Sequence, residues 1–102
     1  MAKTRLDLQY LLEETAGTTN VYFQPPANYK LSYPCVVYKR TGLPKINADD
    51  QIYISYTEYA ITVIDKTPDS EITRNINTIP RISMTTSFTN DNLYHDVFRL
   101  IY

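Results

Sequence analysis

Gln51-Ile52-Tyr53-Ile54-Ser55-Tyr56-Thr57-Glu58-Tyr59-Ala60-Ile61-Thr62-Val63-Ile64-Asp65 is the longest strand-like run in the chain. Side chains alternate across an extended backbone, so Ile52, Ile54 and Tyr56 share one face and Tyr53, Ser55 and Thr57 the other. Further on, Tyr59, Ile61 and Val63 alternate against Glu58, Ala60 and Thr62. The apolar set therefore changes parity between Tyr56 and Tyr59. A bulge produces such a change, and so does a strand that leaves one partner to join another. At about 3.3 Å per residue the run would span about 50 Å. A domain this small cannot cover that length by itself, so one end is expected to project as an arm or hairpin, around residues 41–58.

Upstream of the run, residues 41–50 read as a long connection holding Gly42, Pro44 and Asp49-Asp50. It exceeds a tight hairpin, and loops of this length often reach a neighbour. Before it, Cys35-Val36-Val37-Tyr38-Lys39-Arg40 reads as a strand opened by Pro34, and its continuous apolar start predicts burial on both faces. Asn20 to Gln24 reads as a shorter strand ended by Pro25-Pro26, which cannot donate ladder hydrogen bonds. The first segment, Thr4 to Ala16, carries Leu8, Leu11 and Leu12 at helical spacing, flanked by Leu6 and Tyr10. Thr4 with Asp7 forms a weak capping box and Gly17 a stop.

Downstream, Thr67-Pro68-Asp69-Ser70-Glu71 reads as a helix start, capped by Thr67 or Asp69. The helix is predicted to run to Asn77 or Thr78, with an Ile72, Ile76, Ile79 stripe, and to stop at Pro80. Ile82, Met84, Thr86 and Phe88 then alternate with hydroxyl-bearing residues, as in a half-exposed strand. Asn90-Asp91-Asn92 is a turn cluster. The strand after it, Tyr94 to Tyr102, sets Tyr94, Phe98, Leu100 and Tyr102 against His95, Val97, Arg99 and Ile101, and its end is expected to be tied into the sheet. Segregated strands and helices predict an α+β fold. The expectation is one domain over residues 1–102, with an antiparallel or mixed sheet of about five strands and two short helices on one face.

The composition is that of a folded chain: 43% apolar and 21% charged, with a net charge of −1. Nothing in it resembles the electrostatic footprint of a nucleic-acid binder, and near-zero charge does little to oppose self-association. Ten Tyr, three Phe and no Trp are present; tyrosine suits surfaces covered by a partner yet partly wet, and strands also favour it. No signal peptide or membrane span is expected. Catalytic residue types are scarce. His95 is the one histidine, and Asp96 beside it would point to the opposite face of a strand, so it cannot orient the imidazole. Cys35, the one cysteine, sits in an apolar run and reads as a small buried hydrophobe. Asp49-Asp50 lacks the spacing of a calcium loop. Gly17 and Gly42, the two glycines, cannot build a phosphate cradle. Lys39-Arg40 is a short basic pair, with Tyr38 beside it as a weak stacking option. No enzyme activity, metal or cofactor is expected.

Four phrases carry a resemblance: Val-Tyr-Phe-Gln-Pro-Pro (21–26), Tyr-Pro-Cys-Val-Val-Tyr (33–38), Val-Ile-Asp-Lys-Thr-Pro-Asp-Ser-Glu-Ile (63–72) and Asn-Leu-Tyr-His-Asp-Val-Phe (92–98). Together they resemble the tail-terminator, or tail-completion, proteins of tailed bacteriophages. The resemblance covers most of the chain and implies an α+β subunit of a hexameric ring at the head-proximal end of the tail tube. Its implied partners are further copies of itself, the major tail tube protein and a head-tail connector or stopper. DNA would pass through the lumen without specific binding. The implied location is the virion neck, reached by assembly in the host cytoplasm. A head-tail stopper or other neck adaptor is the alternative reading, and a small binding module the more distant one. The residues expected at the interface between subunits are Thr41, Leu43, Ile46, Gln51, Ile52, Tyr53, Ile54 and Tyr56, since ring subunits join through arms and strand edges.

Overall fold

The computed structural model describes residues 4–42, 45–48, 51–55 and 57–102, with side chains outside 43–56. Helix α1 spans Arg5–Ala16. Its start is the capping box read from the sequence: the Thr4 hydroxyl accepts from the Asp7 amide at 3.2 Å, and the Asp7 carboxylate accepts from the Thr4 amide at 3.1 Å. Gly17, at φ 72°, ends the helix by donating its amide to the Glu13 carbonyl; glycine, with no Cβ, adopts that conformation at no steric cost. Leu8 and Leu12 are fully buried, whereas the flanking Leu6 and Tyr10 are exposed.

Five strands form the main sheet: β1 (Val21–Phe23), β2 (Cys35–Gly42), and three that follow a separate ribbon. That ribbon consists of β3 (Lys45–Ala48) and β4 (Gln51–Ser55), an antiparallel pair in a sheet of its own. The main sheet resumes with β5 (Glu58–Asp65) and, after helix α2 (Glu71–Ile76), with β6 (Ile82–Asn90) and β7 (Leu93–Ile101). The spatial order is β1-β2-β5-β7-β6. β1 runs parallel to β2 and every other neighbouring pair is antiparallel, so the sheet is mixed. The fold is α+β, as read from the sequence.

Register explains the core. Tyr38 lies opposite Ile61, which lies opposite Phe98; Tyr59 lies opposite Leu100. These side chains share one face and pack with Leu8 and Leu12 of α1 and Ile76 of α2. Both helices therefore cover that face. Burying each such side chain stabilises the fold by about 1.5–3 kcal/mol. The Tyr38 hydroxyl, drawn into this layer, accepts from the Arg5 guanidinium and donates to the Gln9 side chain. The opposite face carries the row Val37, Thr62 and Val97, half-buried, with Cys35 and Ile64 buried at one end.

Of the two readings of the parity change in the run from Gln51 to Asp65, the change of partner holds: the run is two strands, β4 on β3 and β5 on β2 and β7. Three expectations need correction. The connection read over 41–50 is largely strand: β2 extends through Gly42 and residues 45–48 form β3. Helix α2 begins after Ser70, not Thr67 or Asp69. The Asp65 carboxylate holds the Thr67 amide and hydroxyl in a local turn, which defers the helix. Finally, β6 is exposed along both faces after Ile82 rather than half-buried. It is an edge strand, and a bulge between Met84 and Thr86 carries Phe88 to the face away from the helices.

Candidate assembly surface

The chain leaves the main sheet at the end of β2 and re-enters it at the start of β5. Gly42 pairs with Glu58 there, after a register shift that makes Thr41 the extra residue. The Thr41 hydroxyl lies 3.1 Å from the Glu58 carbonyl and 3.0 Å from its Oε2. Glu58 Oε1 accepts from Arg99 Nε at 2.8 Å and pairs with Nη2 at 2.7 Å. The Arg99 hydrogen bond, and after it that from Thr41, holds the Glu58 carboxyl below the usual carboxylate range. On the other side of β5, Tyr102 and Thr57 exchange backbone hydrogen bonds, the Tyr102 amide donating at 2.9 Å. Both strands of the exit are thus fastened to the sheet.

Beyond this root, Ile46 pairs with Ile54, Asn47 with Ile52, and Ala48 with Gln51. The shift between Ile46 and Asn47 leaves Tyr53 as the extra residue of β4. Of the expected interface residues, Thr41 lies at the root, Ile46 in β3, and Gln51, Ile52, Tyr53 and Ile54 in β4. Leu43 and Tyr56 lie outside the described residues. An isolated two-stranded ribbon is marginal in water, and three strands or a packing partner are needed for independent stability. Among the described residues β3 and β4 pair with no third strand.

A second feature of the surface lay outside the expected set. β6 forms the far edge of the sheet, and Met84 and Phe88 are exposed on it. The even spacing of Ile82, Met84, Thr86 and Phe88 marked a strand, but its place at the edge depends on pairing that no local pattern encodes.

The chemistry-bearing residues are engaged elsewhere. The His95 ring stacks on Phe88, centroids 4.7 Å apart and planes 9° from parallel, and its Nδ1 lies 3.1 Å from the Leu93 carbonyl. Asp96 accepts instead from Thr73 at 2.7 Å and Ser87 at 2.6 Å. Burial, followed by the Asp65 charge, pushes the Cys35 thiol up to about 11. Among the described residues no three His, Cys, Asp or Glu side chains gather as a metal site, and no helix is long and apolar enough to cross a membrane. Lys39 and Arg40 line an open cleft of about 390 Å³ with Gln24, Pro25 and Val37. No protein-family model matches the sequence, and no curated protein matches it.

Proposed function

We propose that this chain is a structural subunit of a phage neck, a tail terminator that closes into a ring on the head-proximal end of the tail tube. The observation that carries the reading is the β3–β4 ribbon, which pairs only with itself among the described residues. The molecule measures 51 × 26 × 23 Å, and its radius of gyration is 14.7 Å. A compact chain of this length would have about 13 Å. Material set outside the compact body in this way is what an arm requires. In the proposed ring, each ribbon lies on the neighbouring copy, gaining the packing partner that a two-stranded ribbon lacks alone. Contacts of this head-to-tail kind close into a ring when the rotation between neighbouring copies closes.

The remaining surface supports the same reading. The balanced charge suits a conduit through which DNA slides without being held. The four sequence phrases that resemble tail-completion proteins add the position in the neck, with the tail tube protein on one side and a head-side connector on the other. The test is mass measurement and negative-stain imaging of the purified chain, alone and mixed with tail tubes. Rings capping one end of the tubes are the expected result. A chain that never binds tubes and never exceeds a dimer would overturn the proposal.

A further inference from the structure

The outer side of β6 has no partner strand among the described residues. β6 is nine residues long and exposed throughout except at Ile82. Its sequence, Ile-Ser-Met-Thr-Thr-Ser-Phe-Thr-Asn, holds neither a charge nor a proline. Soluble proteins guard such edges with lysine, proline, shortness or a bulge, because an open row of amides and carbonyls templates pairing with another chain. β6 has only a bulge, at Thr85. The Thr85 hydroxyl donates to the Val97 carbonyl at 3.2 Å, which closes the bulge towards β7 and leaves the outer side open. Met84 and Phe88 stand 48% and 47% exposed on this strand, one on each face.

The charges sit at the two ends. Arg81 precedes the strand and Asp91 follows it, both exposed. We propose that two copies of this chain pair through β6, antiparallel, about a twofold axis passing beside Thr86. In that register Arg81 faces the partner's Asp91, and Asp91 faces the partner's Arg81. A parallel pairing would instead set arginine against arginine and aspartate against aspartate, and like charges opposite one another are destabilising. The end charges therefore select both the direction and the register. The two five-stranded sheets continue into one sheet, with the helices of both copies on the same side. Such a contact is isologous and closes at two copies. It uses a different surface from the head-to-tail ribbon contact and does not rest on the ring reading.

Site-directed cysteines read the register directly. In the proposed pairing Thr86 faces its own counterpart, with Cα atoms about 4.5–5.5 Å apart, within the reach of a disulfide. Two Ser83 residues would lie about 20 Å apart. On mild oxidation, Thr86→Cys should yield a covalent dimer of twice 11.9 kDa, and Ser83→Cys should not. Buried Cys35 stays out of the reaction. By sedimentation the wild-type chain should be dimeric, and Arg81→Asp should weaken the dimer at least several-fold at low salt while leaving the circular dichroism spectrum unchanged. A wild-type monomer at the highest soluble concentration overturns the proposal, as does equal cross-linking of the two cysteines. A ring in which Thr86→Cys does not cross-link would also overturn it, and would leave the ring reading standing.

Discussion

Cys35 shows how position in the sheet decides the chemistry of a side chain. It begins β2, opposite Ile64, and is fully buried. A thiolate there would lose its hydration and face the charge of Asp65, and these two effects move the thiol up to about 11. At pH 8 the group is therefore protonated in the folded protein, and the thiolate is the reactive form. The folded chain should react with a disulfide reagent far more slowly than the same chain in denaturant, with a rate that follows unfolding rather than thiol ionisation. Rapid labelling of the native protein at pH 8 would contradict this. Leu12 illustrates the same dependence in the apolar layer. It is fully buried against the sheet, and Leu12→Ala should cost about 2–5 kcal/mol by denaturant titration. Tyr10, two positions earlier and exposed, is a surface position whose loss should change stability little.

At the scale of elements, the Thr41–Glu58–Arg99 cluster joins the two strands at the root of the ribbon to β7. The folded-state Glu58 carboxyl titrates below its unfolded value, through the Arg99 and Thr41 hydrogen bonds. Its contribution is fully present above the unfolded value and is lost as pH falls through the folded one. Glu58→Gln should thus lower the melting temperature at pH 7. The difference from wild type should shrink as pH drops below the ordinary carboxylate range of about 4. A constant offset across that window would show that the carboxylate charge is not the cause. Much of the element pattern was legible beforehand because its signals are local. The Thr4–Asp7 capping box, Gly17 as a helix stop, and the turn at Asp91-Asn92, where both residues take positive φ of 51° and 62°, each depend on neighbours in sequence. What the sequence could not supply was pairing. The parity break after Tyr56 admitted either a bulge or a change of partner; which of the two it is, and that the partners are β3 and then β2 and β7, is non-local. The bulge at Thr85 is likewise a property of two strands together. The false reading of residues 41–50 as loop had a related cause. Gly42, Pro44 and the paired aspartates depress strand propensity, and the ladder between β3 and β4 overrides it.

At the scale of the molecule, the ribbon and the five-stranded body make separable demands. Among the described residues the core is built from α1, α2, the main sheet and Ile79 in the link between α2 and β6, and the ribbon pairs with none of those strands. Replacing residues 43–56 with a short glycine-serine turn from Gly42 to Thr57 keeps the Thr41–Glu58–Arg99 root and the core contacts. Closing a shorter loop also lowers the entropy cost of joining β2 to β5, so the body should fold with a melting temperature close to wild type. Head-to-tail association has no such substitute. If each ribbon is the arm that holds the neighbouring copy, the shortened chain should fail to form rings and fail to cap tail tubes, even in excess. The β6 contact lies elsewhere on the sheet, so the same variant should still give the Thr86→Cys cross-link. Folding, ring formation and twofold pairing are thus three readouts on one variant. Rings that form normally without residues 43–56 would move the subunit contact off the ribbon altogether.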